Sequence, residues 1–265
     1  MHSQPVVLKG KIKLKQFDPG FADGRDKEKT KGAVEKLRHR IDELQQLLYA
    51  NSRHTVILLF QGMDAGGKDG AIRSVLHEVN PAGVVTANFK IPSDEERAHD
   101  YLWRVHRAVP RYGTIGVFNR SHYEAVLVER ILGLVTEKEC SRRFEQIVAW
   151  ERMLAENRVL LVKFFLHLSR EEQAERLRER IANPKKNWKF SPSDLEARAR
   201  WDEYMTAYED MLSHTSHPDA RWHLVPADRN WYRDFIVAET VVRTLEALDL
   251  RWPKPTTDLS KIRIK

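Results

Sequence analysis

The run "HTVILLF" (His54–Phe60) stands directly before "QGMDAGGKDG", and from Lys68 onward the residues take up a helical pattern. No other stretch limits the fold as strongly. A short, β-rich apolar run suits a strand buried on both faces, as in a parallel sheet. A Gly-rich turn joining such a strand to a helix aims backbone N–H groups at one point, where the positive end of the helix dipole also lies. The spacing Gly62-x4-Gly67-Lys68 is that of a phosphate-binding loop, here Gly62, Ala65, Gly66, Gly67, Lys68, Asp69 and Gly70. Two acids depart from the usual pattern. Asp69 stands where Ser or Thr is expected, and Asp64 lies inside the loop. A carboxylate beside phosphates is tolerable with a cation between them, which suggests Mg²⁺ on Asp64. The plain alternative for Asp64 is a turn residue bonding its own backbone. A structural role at the helix start, where acids suit the dipole, is expected for Asp69.

Further short apolar runs follow: "GVVTANF", "TIGVF" (Thr114–Phe118), "RVLLVKFFLHLS" (Arg158–Ser169) and "RWHLVPA" (Arg221–Ala227). Helical patterns separate them, at about Glu28–Ala50, Lys68–Val79, Ser93–Val105, Glu137–Asn157, Arg170–Ala182 and Asp194–Ser213. In the first of these, Leu37, Ile41, Leu44 and Leu48 recur at three- and four-residue steps. Strands alternating with helices predict an α/β fold, a parallel sheet covered by helices on both faces. The 265 residues suffice for one large domain. Residues 1–28 are polar, with turn signals, and are expected to strap the surface. The stretch Arg176–Trp201 breaks a helix at Asn183-Pro184, runs basic and restarts at Ser193 or Asp194, a helix–loop–helix excursion from the core.

The net charge of +7 favours a polyanionic partner without choosing one. Cys140 is the single cysteine, so no intrachain disulfide forms, which fits a reducing compartment. The N-terminus has no sustained apolar core of a signal, and no apolar run approaches a membrane span, so a cytoplasmic protein without a membrane partner is expected.

Three more groupings carry candidate chemistry. "GVFNRSHYEAVLVER" leaves the third strand at the edge where ligand-contacting residues of open α/β sheets gather, and offers Asn119, Arg120, His122 and Glu124. A guanidinium fork there binds phosphate bidentately, and Glu124 could reach a metal. The alternative is a polar strand end capped by Ser121. Beyond the second strand lie Asn88, Lys90, Arg97, Arg104 and His106; Arg97 and Arg104 alone read as a solvated helix face. The excursion carries Arg180, Lys185, Lys186, Lys189, Arg198 and Arg200, the character of a lid that closes over phosphates.

Taken together, the loop with Asp64, "FNRSHYE" and "NPKKNWKFSPSDLEARARWDEY" resemble the family-2 polyphosphate kinases, and the likeness continues through "LWRVH" and "VPADRNWYRDF". It covers nearly the whole chain from about residue 30. The resemblance implies a thymidylate-kinase-like P-loop core with a helical lid. It also implies transfer of the terminal phosphoryl group between inorganic polyphosphate and a nucleotide, ADP or AMP with ATP as product, with Mg²⁺ or Mn²⁺, and a homodimer or homotetramer. Gly62–Gly70 then corresponds to the Walker A loop and Phe118-Asn119-Arg120 to the Walker B region. Many members carry Asp where this chain has Asn119, and Asn with His122 and Glu124 looks like the subgroup that accepts AMP as well. Asp64 and Glu124 remain as metal contacts, Asp64, Lys68 and Arg120 as the catalytic set. Asn88, Lys90, Asn119, Arg120 and Glu124 would take the nucleotide, and polyphosphate would run under the lid.

Two rivals stand beside this expectation. An ATP-dependent nucleotide kinase would use the same loop. A non-enzymatic nucleic-acid binder would fit the charge, although Trp188 and Phe190 are too few aromatics for a stacking platform.

Overall fold

The computed structural model describes residues 6–264, and the first five residues of the expected strap lie outside it. Strands β1 (Val6–Val7), β2 (Thr55–Gln61), β3 (Val84–Asn88), β4 (Ile115–Asn119), β5 (Val159–His167) and β6 (Trp222–Pro226) form a sheet of order β1-β6-β5-β2-β4-β3. β1 runs antiparallel to β6, and the other pairings are parallel. β2 is central and buried at every position. Its side chains divide between two cores: Val56, Leu58 and Phe60 on one face, Ile57 and Leu59 on the other. Later strands flank β2 on both sides, β4 and β3 on one and β5 and β6 on the other, so the crevice of an open α/β sheet forms at its carboxyl end.

On the first face lie α1 (Lys27–Asn51), α2 (Lys68–Val75) and α10 (Asn230–Glu246). α1 starts where the Asp26 carboxylate accepts the Lys29 N–H, and ends at Ser52, whose φ of 49° is left-handed. Ile41 and Leu48 are fully buried, each stabilising by roughly 1.5–3 kcal/mol. On the other face lie α6 (Glu137–Glu156) and α9 (Trp201–Thr215). The strap crosses this side. Leu8, Ile12 and Leu14 are buried, and Glu209 of α9 receives both Lys13 Nζ and the Leu14 N–H.

Local chemistry shifts several expected boundaries. The helix expected over Ser93–Val105 is two short ones, α3 (Asp94–Arg97) and α4 (Trp103–Arg107). The Asp100 carboxylate accepts the Leu102 N–H, an Asx-type turn that competes with helix. α2 ends at Val75 rather than Val79. After β4 come a 3-10 turn (His122–Val126), capped by Ser121 as the alternative reading of this segment had it, and α5 (Val128–Ile131). The excursion comprises α7 (Arg170–Ala182), a 3-10 turn at Asn187–Lys189 and α8 (Pro192–Ala199). α8 is capped by Ser191 rather than Ser193 or Asp194, and α9 is a separate helix after it. Among the described residues no helix is long and apolar enough to cross a membrane.

One polar cluster sits inside the α6/α9 face. Lys163 of β5 and Glu151 of α6 are fully buried and 2.6 Å apart. The ammonium also donates to Tyr123 Oη (2.9 Å) and the Thr215 carbonyl (2.8 Å). Glu151 in turn accepts from Tyr123 Oη (2.7 Å) and contacts His122 and His217 Nε2. Burial alone would push the Glu151 carboxyl up, but Lys163 and the His122 and His217 hydrogen bonds hold it far below its ordinary range. Replacing Lys163 with Met strands this carboxylate, so the unfolding free energy in urea should fall by about 3–5 kcal/mol. The Lys163→Met/Glu151→Met double variant should recover much of that loss. Equal stabilities of wild type and the single variant would show the pair to be inconsequential.

Candidate active site

The phosphate loop leaves the carboxyl end of β2. A Cβ on Gly62 would lie 2.7 Å from the Leu166 carbonyl oxygen, so the loop can pass this close to β5 only without a side chain. Gly67, the residue before α2, has a φ of 92°. A Cβ there would meet Arg233 Nη1 at 2.2 Å. Arg233, buried on α10, is held by Asn230 Oδ1 (2.6 Å) and Asp234 Oδ1. Burial lowers its pKa, with Asp234 opposing. From α7, Gln173 donates to the Asp64 carbonyl (3.0 Å). Arg176 joins the Ala65 carbonyl (3.2 Å) to those of Ala227 (2.6 Å) and Asp228 (3.1 Å) after β6. Two helices and two strand ends therefore fix the loop.

Lys68 folds across the loop and donates to the carbonyls of Gly62 (2.8 Å) and Met63 (3.1 Å). Burial pulls its ammonium below the ordinary value, and Asp64 opposes that shift. Burial would raise the Asp64 carboxyl, but the Lys68 and Arg120 charges outweigh it and hold Asp64 below its usual range. Asp64 is therefore ionised at neutral pH.

Arg120 follows β4 with a φ of 63°, a left-handed conformation uncommon away from glycine. Its N–H donates to the Phe60 carbonyl (3.0 Å), which ties the bend to β2. Its guanidinium bridges two carboxylates, Asp64 (2.5 Å) and Glu124 (3.3 Å). Burial works against its charge, but Glu124 and Asp64 more than compensate and raise its pKa. Gln61 Nε2 holds the other Glu124 oxygen at 2.9 Å. The inward-facing half of the same turn, His122 and Tyr123, is anchored in the Glu151–Lys163 cluster.

Among the described residues no group of three or more His, Cys, Asp or Glu could hold a metal ion. Asp64 and Glu124, drawn together by one guanidinium, are two. Mg²⁺ is commonly bound by one or two carboxylates plus substrate phosphates, so this donor set fits an ion that completes its shell on substrate.

A cavity of about 740 Å³ opens beside Arg120 and Glu124 and is lined by Lys90, Arg97, Tyr101 and Arg104 among others. Asn88 and Asn119, expected beside them, do not line it. The two face each other in register on β3 and β4, and the Asn119 side chain turns instead to Asp69 (2.8 Å). Arg104 is not the solvated residue expected. Its side chain is mostly buried, donates to the Lys90 carbonyl (2.9 Å) and lies 5.4 Å from the Phe89 ring centre.

The basic residues of the excursion have separate placements. Arg180 pairs with Asp194 (3.1 Å), and Arg198 donates to the Arg170 carbonyl (2.6 Å) and Gln173 (3.0 Å), so both dock α8 onto α7. Arg200 is paired with Glu203 on α9 (2.6 Å), and Lys186 with Glu179 (2.5 Å). Lys185 is exposed. Lys189 reaches the phosphate loop, 3.8 Å from Asp69. Sequence reasoning did not single out Gln61, Gln173 or Arg233. For Arg233 a signal existed, a lone cation among the apolar residues of "NWYRDFIVAETVV".

The polyphosphate kinase 2 family model matches residues 24–252. An AMP/ADP-polyphosphate phosphotransferase of Meiothermus ruber is 47% identical across the full length of both chains. An ADP-polyphosphate phosphotransferase of Rhodopseudomonas palustris is 43% identical over 93% of this chain and 94% of its own. The crystal structure of polyphosphate kinase 2 from Arthrobacter aurescens superposes with a TM-score of 0.93 at 37% identity, covering 96% of this chain and 92% of that one. On this sequence match and this shared fold, the chain belongs to the polyphosphate kinase 2 family.

Proposed function

We propose that the protein transfers the terminal phosphoryl group of inorganic polyphosphate to ADP and to AMP, reversibly and with Mg²⁺. The observation that carries this reading is the Arg120 bridge. It joins Asp64 of the phosphate loop to Glu124 in the lining of the large cavity, an arrangement that would put a donor phosphate on the loop beside an acceptor in the cavity. Phosphoryl transfer requires alignment and charge stabilisation more than covalent participation. Lys68 and the loop amides would hold the donor phosphate, and Arg120 would stabilise charge on the group in transit. Lys90, Arg104 and Glu124 would orient the acceptor. Mg²⁺, when bound at Asp64 and Glu124, supplies charge neutralisation between these carboxylates and the phosphates. The excursion over residues 176–201 would act as lid to a single kinase domain, assembled as a homodimer or homotetramer.

The family relationship disfavours both rivals. An ATP-dependent kinase is separated directly: protein, Mg²⁺ and polyphosphate should convert ADP to ATP, and AMP to ADP and ATP, with no nucleoside triphosphate added. Product from ADP and none from AMP would remove the AMP assignment. No product from either would remove the reading.

Lys68→Ala deletes the loop's full positive charge, and kcat should drop at least about 10²-fold with the circular dichroism spectrum unchanged. A folded variant within a few-fold of wild type would exclude the loop from the reaction. Cationic side chains on a linear polyanion release counterions, as they do on nucleic acids, which makes binding salt-dependent. Replacing Lys185, Lys186 and Lys189 with Ala should therefore raise the KM for polyphosphate and flatten its salt dependence, with less change in the nucleotide KM. An unchanged KM and salt slope would make these lysines a solvated face.

A further inference from the structure

Asp69 occupies the position where phosphate loops ordinarily carry a hydroxyl, yet its carboxylate does not turn back onto its own backbone. Oδ1 accepts the Asn119 side-chain N–H at 2.8 Å, and Oδ2 lies 3.8 Å from Lys189 Nζ. One carboxylate thus addresses two different segments, the end of β4 and the 3-10 turn of the excursion. Both matter to the site. Asn119 immediately precedes Arg120, whose left-handed backbone carries the guanidinium that bridges Asp64 and Glu124. Lys189 is the cation of its turn that comes within ion-pair range of the phosphate loop, and its ammonium also lies 5.0 Å from the Trp188 ring centre.

We infer that Asp69 is a positioning residue with two separable roles: one oxygen sets Asn119, and through it the Arg120 bend, and the other latches the lid through Lys189. This inference rests on the reading of the excursion as a lid and extends it to the loop's anomalous acid. At the first turn of α2 an acid is favoured by the helix dipole. Its extended partner Asn119 is an amide that donates to it without adding charge beside the phosphates. The latch is partly exposed and longer than a hydrogen bond, so it is weak and can open on each turnover. A strong pair would hold the lid shut against polyphosphate exchange.

The two roles separate in two variants. Asp69→Asn keeps an oxygen for the Asn119 amide and removes the charge that attracts Lys189. Asp69→Ala removes both. Hydrogen–deuterium exchange on the substrate-free protein reads the latch without reference to activity. Amides of residues 185–191 should exchange about two- to fivefold faster in Asp69→Asn, in Asp69→Ala and in Lys189→Met, the range expected for an exposed ion pair. The Asp69→Asn/Lys189→Met double variant should exchange no faster than either single one. Steady-state kinetics read the positioning of Asn119, and kcat should be at least about fivefold lower in Asp69→Ala than in Asp69→Asn, the effect of one lost hydrogen bond. Unchanged exchange in all three single variants, or additive effects in the double, would overturn the latch. Equal kcat values for the two Asp69 variants would overturn the positioning of Asn119. Neither outcome touches the proposed phosphoryl transfer, which the product analysis above tests separately.

Discussion

Glu151 and Lys163 lie fully buried 2.6 Å apart beneath the sheet, and the direction taken by the chain after β4 depends on them. A buried ion pair contributes little net stability, because desolvating two charges consumes most of what their attraction returns. Its contacts reach the turn after β4. The pair recruits Tyr123 Oη, His122 and His217, so two consecutive residues of the turn after β4 must face inward. Their neighbours Arg120 and Glu124 are thereby left on the opposite side, beside the phosphate loop.

The site itself is a problem in charge placement. Lys68, Arg120, Arg176 and Arg233 crowd around one loop, and without acids they would repel one another. Asp64 and Glu124 share Arg120, Asp234 neutralises Arg233, and Glu172 pairs with Arg176 at 2.8 Å. These acids, Asp64 of the loop among them, are therefore part of what lets a strongly cationic site exist in the folded protein before any phosphate arrives. Asp64 stays ionised because its cations outweigh its burial. The same logic extends outward, where Asp194 and Glu179 hold Arg180 and Lys186 of the excursion.

Much of this was legible in the residue order. The strand–loop–helix at Gly62–Gly70 was visible because its chemistry is local: the glycines, the lysine and the apolar run before them act within a dozen residues. The five parallel strands were visible for the same reason, since each is a compact apolar run. α10 was not. Nearly every turn of "NWYRDFIVAETVVRTLE" is apolar and many residues are β-branched, because the helix is covered on several sides. A helix buried that way loses the one-faced periodicity by which helices are recognised. β1 was missed because two residues carry no pattern; only their antiparallel pairing with β6 makes them a strand.

The sequence by itself determined the α/β class, the phosphate loop, the family resemblance and the residues from which a site could be made. Those properties follow from spacing along the chain and survive without coordinates. Tertiary structure alone decided which of those residues meet. It placed Arg120 between Asp64 and Glu124, 56 and 4 residues away, and turned Asn119 from the cavity to Asp69. It also set Arg233 of the last helix where a Gly67 side chain would stand. Apart from the Arg120–Glu124 pair, these contacts join segments far apart in the chain, and the sheet order that brings them together is a property of the packed whole that no local pattern encodes.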